Sequence, residues 1–110
     1  MFAGLFASAQ NSSKIQLQFD KALQFYKLQD YKSAITEIDK ILKKKPEYVD
    51  ATLLLADVYH ETKSTEQEIE TLESALQFSQ NPLIFYRIAK ANYSIGNYEK
   101  ALFNFEKYLQ

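Results

Sequence analysis

The chain states one pattern twice. Residues 25–43 read FYKLQDYKSAITEIDKILK and residues 92–110 read NYSIGNYEKALFNFEKYLQ. Each runs through a tyrosine, a short breaker, a second tyrosine, two polar residues, an alanine and then apolar residues at helical spacing. Ala34 and Ala101 stand 67 residues apart, which is two periods of about 34, a spacing at which helix-turn-helix repeats recur. A middle copy should then centre near residue 68, and ATLLLADVYHETKSTEQEIETLESALQFSQNP (51–82) lies there. Its Ala56 aligns with Ala22 and Ala89, its Tyr59 with Phe25, and its Ala75 and Leu76 with Ile41 and Leu42 and with Tyr108 and Leu109. It departs at Glu68, where its neighbours have Ala34 and Ala101, and it has Lys63 where the third copy has Gly96. The middle copy is thus expected to be one residue shorter and looser at its turn.

Each copy reads as two amphipathic helices, because apolar residues recur three and four apart, as in Leu17, Phe19, Ala22, Phe25 and Tyr26. The spacing predicts helices over about 15–28 and 31–45, 49–62 and 65–79, and 82–95 and 98–109. Gln29-Asp30, Lys63-Ser64 and Gly96-Asn97 are the breakers within copies. Pro46 and Pro82 open new copies, where a missing backbone N–H costs least. Asn81 before Pro82 fits an N-cap. No alternating run of strand length exists. With 110 residues, 46% of them hydrophobic, the chain is long enough for one small domain with a core. The two glycines and two prolines are too few for a turn-rich β-sandwich.

These residues resemble the tetratricopeptide repeat: Ala22, Phe25, Tyr31, Ala34, Ile38, Leu42 and Pro46 in the first copy; Leu55, Ala56, Tyr59, Leu72, Ala75 and Leu76 in the second; Phe85, Ile88, Ala89, Gly96, Tyr98, Ala101, Phe105 and Leu109 in the third. Small residues at the alanine places let helices approach, and large ones fill the gaps they leave. The resemblance implies an all-α fold, a right-handed α-solenoid of three helix-turn-helix repeats with about six helices and a short apolar N-terminal segment. The divisions are residues 1–14, then repeats over 15–48, 49–81 and 82–110.

The resemblance also implies a binding scaffold without catalysis, in which the first helix of each pair lines a concave groove. The groove places are Gln16, Phe19, Leu23, Tyr26 and Lys27; then Asp50, Leu53, Asp57, His60 and Glu61; then Leu83, Tyr86, Lys90, Tyr93 and Ser94. A peptide or protein segment would meet an aromatic surface of mixed charge there. Rings give large contact area with few torsions to freeze, although any one of them can equally fill the space between short helices. Chaperone-binding relatives clamp a terminal carboxylate with basic and amide side chains. The matching places here are Phe19, Leu23, Leu54 and Leu83, with Arg87 alone basic, which argues against that clamp.

The sequence offers little to an enzyme. His60 is the single histidine and there is no cysteine, so a two-histidine or thiolate metal site and disulfides are excluded within one chain. No glycine-rich phosphate loop and no nucleophile elbow is present. No cofactor is expected. Net charge is −1, which gives no global pull toward nucleic acid. The basic run at Lys43–Lys45 fits a helix C-terminus complementing its dipole. Charge is nonetheless uneven: residues 1–45 hold eight lysines against four acids, 46–75 hold Lys63 against eight acids, and 76–110 hold four bases against two acids.

The opening MFAGLFASAQ is apolar and small, and Ala7 and Ala9 satisfy the small-residue rule of signal-peptidase cleavage. No basic residue precedes it. It reads as part of an export signal, in the style of exported repeat proteins of Gram-negative bacteria that it resembles, and so points to a periplasmic or otherwise exported protein; the alternative is a lead-in packed on the first helix of a cytoplasmic one. Nine apolar residues are too few to span a bilayer. At the other end, Leu102, Phe103, Phe105, Tyr108 and Leu109 exceed what one neighbouring helix can cover. The expectation is an apolar assembly face of Phe103, Phe105, Tyr108 and Leu109, covered by more chain or by self-association.

Overall fold

A computed structural model describes residues 2–110, with side chains described from Ser12 onward. Among the described residues there are six helices and no strand: α1 (Phe2–Lys27), α2 (Tyr31–Lys44), α3 (Val49–Glu61), α4 (Thr65–Ala75), α5 (Pro82–Ser94) and α6 (Tyr98–Leu109). The expected all-α arrangement of helix pairs is present. Two boundaries differ from expectation. The first helix begins at Phe2 rather than near residue 15 and runs through the division placed at residue 14. No proline stands in that stretch, and Asn11-Ser12-Ser13, cap-forming types, do not stop a helix that is already propagating. The fourth helix stops at Ala75, short of residue 79; Leu76, Gln77 and Phe78 donate to carbonyls three residues back instead, and the polar Ser79-Gln80-Asn81 run leads to Pro82, which disfavours helix in the residue before it. The export-like reading of Met1–Ala9 rests on side chains outside the described residues.

The turn inside each pair is the same object three times. Gln29, Lys63 and Gly96 take φ of 62°, 59° and 83°. Their N–H groups donate to the carbonyls of Tyr26, His60 and Tyr93, and the next residues, Asp30, Ser64 and Asn97, donate to Phe25, Tyr59 and Asn92 at 2.9, 2.8 and 2.9 Å. This is a Schellman closure, a left-handed residue satisfying the last carbonyls of the preceding helix. The middle turn, expected to be looser, has the same bonds. The following helix then starts in one register: Ala34, Glu68 and Ala101 donate their N–H to Asp30, Ser64 and Asn97 at 3.0, 3.0 and 2.9 Å. The alignment of Glu68 with the two alanines is therefore correct, and Ala34 and Ala101 are buried as expected.

The chain divides into two compact units, residues 1–46 and 47–110. In the first, α1 pairs with α2. Ala22, Ala34, Ile38 and Ile41 are fully buried. Glu37, also buried, has Lys40 Nζ at 3.3 Å and Lys21 Nζ at 3.6 Å, so its charge is compensated from both helices. In the second unit, α3 pairs with α4, α4 packs on α5 and α5 pairs with α6. One core cluster joins Ala56, Ile69, Leu72, Ala75, Ile84, Ile88 and Ala91, with Val49, Leu53 and Leu76 packed against it. The expected cap at Asn81 is formed: its Oδ1 accepts from Leu83 N at 3.0 Å, with Pro82 in the first turn. Asn92, where the other copies have Phe25 and Tyr59, is buried and donates through Nδ2 to the Ile88 carbonyl at 3.0 Å.

Candidate functional site

The second unit contains a cleft of about 700 Å³, lined by Asp57 and His60 of α3, Lys63 of the turn, Thr65 and Glu68 of α4, and Arg87, Lys90, Ala91, Ser94 and Ile95 of α5 and its end. That volume lies within the range of small-ligand and peptide side-chain pockets. Helical geometry brings these residues together: Asp57 and His60 lie three apart on α3, and Arg87, Lys90 or Ala91, and Ser94 recur at three and four on α5.

Two ion pairs brace the cleft. Arg87 Nη2 donates to Asp57 Oδ1 at 2.6 Å and ties α5 to α3. Both groups are about one-third exposed, so the pair fixes geometry more than it adds stability. His60 Nδ1 lies 3.3 Å from Glu68 Oε2. Here the two partners differ sharply, since the His60 side chain is 68% exposed and that of Glu68 is 7% exposed. A buried carboxylate without a partner is costly. Glu68 has His60 as its partner, and its helix keeps the register of the other two.

The reason for this pair appears when the three turns are superposed in sequence. In the outer pairs a tyrosine before the turn meets a tyrosine after it: Tyr26 and Tyr31 have centroids 5.9 Å apart, Tyr93 and Tyr98 5.3 Å. The middle pair has His60 and Thr65 at those places, and Glu68 in place of the alanine. Three exchanges occur together. Two rings are replaced by smaller polar groups, and a carboxylate occupies the helix crossing beside the one histidine.

The expected groove residues part company. Asp57, His60 and Lys90 line the cleft. Leu53 is partly buried against the core. Tyr86 turns toward α6, its centroid 5.1 Å from Tyr108 and 6.0 Å from Phe105, with Lys90 Nζ 5.4 Å above its ring. Tyr93 is largely exposed beside Tyr98. No Phe or Tyr is among the residues lining the cleft. In the first unit, Phe19 and Tyr26 are half-buried on α1 and Lys27 is exposed. Of the expected assembly face, Phe103 and Leu109 are exposed, joined by Leu102, whereas Phe105 and Tyr108 are half-buried under Tyr86. Sequence reasoning missed the Arg87–Asp57 pair, thirty residues apart. It noticed Glu68 without its histidine; the joint exchange of Tyr, Tyr and Ala was the available signal.

Among the described residues, no three His, Cys, Asp or Glu side chains come together to hold a metal ion, and no helix is long and apolar enough to cross a membrane.

Helix pairs closed by one recurring left-handed turn, with small residues at the crossings, define a helical-repeat protein. Family models of the tetratricopeptide repeat match residues 19–82 and 83–110. The chain belongs to the tetratricopeptide repeat family. A curated relative, DnaJ homolog subfamily C member 3 of Gallus gallus, is 29% identical over 92 residues, which is 83% of this chain and 18% of that protein. The chain thus spans under a fifth of that relative's length. The crystal structure of MamA superposes with a TM-score of 0.81 at 20% identity, over 89% of this chain and 54% of the other. The first tetratricopeptide domain of Spaghetti (RPAP3), bound to the HSP90 peptide SRMEEVD, gives 0.78 at 19% identity, over 89% and 79%. At such identities the likeness speaks for the fold.

Proposed function

We propose that the chain is a non-catalytic interaction module and that the cleft between α3 and α5 is where it holds a peptide or protein segment. The observation behind this reading is the Arg87–Asp57 pair, which fixes two first helices at the walls of a polar recess of peptide-side-chain size. The bound peptide in the Spaghetti structure supports a peptide as the class of ligand. Selection from a displayed random-peptide library, followed by amide shift mapping, tests the site. Selected peptides should shift Asp57, Arg87 and Lys90; shifts confined to α2 or to the far face of α6 would remove the cleft from the reading.

A second reading rests on a different surface. Leu102, Phe103 and Leu109 are 60%, 57% and 79% exposed on α6. Contiguous exposed apolar groups mark interaction surfaces, and self-association through α6 would cover them. Sedimentation over a range of concentrations decides it: a constant monomer mass ends the assembly reading. The apolar opening supports export, and N-terminal sequencing of protein recovered from cells tests that. A mature start at Gln10 supports it, and a retained Met1 ends it.

A further inference from the structure

We infer that the open side of α6 takes α1 of a second copy, so that chains stack end to end as α5 stacks on α4 within one chain. The inference rests on association through α6 and adds the surface on the other side of that contact.

The pattern is set by the α4–α5 crossing. There Ile69, Leu72 and Leu76 of α4 join Ile84, Ile88 and Ala91 of α5 in one cluster. The repeat carries both halves of that crossing to other places. Glu68 and Ala101 hold one register, so Ile69, Leu72 and Leu76 correspond to Leu102, Phe105 and Leu109 of α6. Ala89 corresponds to Ala22, so Ile84, Ile88 and Ala91 correspond to Leu17, Lys21 and Gln24 of α1. Burial does not follow the correspondence. Ile69 and Ile84 are 8% and 2% exposed, whereas Leu102 and Leu17 are 60% and 68% exposed. Thus α6 presents the second-helix half of the crossing to solvent, and α1 presents the first-helix half.

The two open surfaces match in length and direction. Tyr98, Leu102, Phe105 and Leu109 form one stripe along α6, and Leu17, Lys21, Gln24 and Leu28 form one along α1, both at steps of four, three and four. Each runs about 16 Å. Neighbouring helices joined by a short link run antiparallel, which is how residues 76–81 join α4 to α5. The same antiparallel contact sets Leu17 of one copy against Leu109 of the other, Lys21 against Phe105, Gln24 against Leu102 and Leu28 against Tyr98. Charge favours α1 over a second α6. Glu99 and Glu106 are exposed along one flank of the α6 stripe, next to Tyr98 and Phe105. Lys21 comes beside Glu106; its side chain is 59% exposed, and the buried Glu37 that it faces also has Lys40. Two copies of α6 laid antiparallel about a two-fold axis set these acids against each other. Laid parallel, they drive the acids toward the Tyr108 side of the partner helix, where Tyr86 of α5 lies. A contact between unlike surfaces does not close at two copies, so it extends to a third and beyond.

The test uses the full chain and two variants at exposed places, Leu17→Asp and Leu102→Asp, with circular dichroism to confirm that both are folded. Sedimentation velocity from about 10 μM to about 1 mM spans the range of weak association. The parent should grow beyond a dimer as concentration rises. Each variant alone should have its association constant lowered at least about tenfold, as expected when a central contact is charged. An equimolar mixture of the two should form a dimer that grows no further, because one variant supplies an intact α6 and the other an intact α1. A parent that stays monomeric at about 1 mM overturns the inference and the α6 reading together. Association lost in Leu102→Asp but kept in Leu17→Asp overturns the inference and leaves α6 as an assembly surface. A mixture that stays monomeric also overturns it.

Discussion

The crossing of α5 with α6 and the crossing of α3 with α4 share one backbone and differ in chemistry. At the first, the tilted rings of Tyr93 and Tyr98 meet with centroids 5.3 Å apart, in the pair that buries Ala101. At the second, the same places hold His60, Thr65 and the buried Glu68. The Schellman turns between the helices have equivalent hydrogen bonds. The turn therefore sets the approach of the helices, and the side chains decide whether the crossing is closed by rings or left as a polar recess. In a repeat protein each unit contacts mainly its neighbours, so one unit can be turned to binding while the others keep their packing.

The sharpest way to break this comparison is to move the carboxylate. Ala101→Glu places a charge at a buried crossing whose neighbour is Tyr93 rather than a base. It should cost about 3–5 kcal/mol at neutral pH, the penalty of an uncompensated buried charge. Adding Tyr93→His rebuilds the middle arrangement and should recover part of the loss. Urea unfolding of the single and double variants measures both. A cost under about 1 kcal/mol for Ala101→Glu would mean that the crossing opens readily to water and that His60 is not needed by Glu68.

The second test asks which partner of the middle pair depends on the other. His60→Ala leaves Glu68 buried without its donor and should cost about 1–3 kcal/mol. Glu68→Ala restores the residue type of the outer crossings and leaves His60 in solvent; replacing a buried charged group in this way should change stability by about 1 kcal/mol or less, in either direction. Thermal unfolding of the two variants should show the inequality. Equal losses would mean that the pair is held for its mutual attraction alone.

A third pair of substitutions compares the turns. Gly96 sits at φ 83°, and a Cβ built there meets no atom within 4 Å. Gly96→Ala should therefore lose about 1 kcal/mol through the left-handed backbone alone. Lys63 occupies the same conformation with a side chain, at φ 59°. Lys63→Gly should relieve that strain, and after the greater chain entropy of glycine a gain of up to about 1 kcal/mol remains. Opposite signs at the two turns are the expected result in calorimetry. A loss at both would assign Lys63 a stabilising contact that the outer turns lack.

The parts that were legible in the sequence are local and periodic. The breakers Gln29-Asp30, Lys63-Ser64 and Gly96-Asn97 marked the turns because a left-handed residue and a cap must follow one another there. Ala34 and Ala101 were readable as crossings because small residues let helices approach there, and Glu68 shows that the same place also admits a carboxylate with a partner. What escaped was non-local or sat between equivalent alternatives. Arg87 and Asp57 are on different repeats, and no periodicity links them. Tyr86 can turn to the groove or to its partner helix from one backbone position, and Phe105 and Tyr108 decide it. The start of α1 escaped because the cap-forming Asn11-Ser12-Ser13 read as a helix start, whereas a helix already propagating passes through such residues.

The smallest expected effect concerns the outer face of α6. Leu102 aligns with Ile69 of α4, yet Ile69 is 8% exposed in the core cluster and Leu102 is 60% exposed. The two places share a register, since Ala101 and Glu68 begin their helices with the same bond. The difference lies in the cover: α5 packs on α4. Leu102→Gln should therefore change the stability of the monomer by no more than about 0.5 kcal/mol, as surface substitutions usually do. Its value lies in the concentration dependence. If chains associate through α6, the melting temperature of the parent rises with protein concentration by mass action, and Leu102→Gln should flatten that dependence while leaving the dilute limit in place. A concentration dependence that persists unchanged in Leu102→Gln would move any assembly surface away from this face.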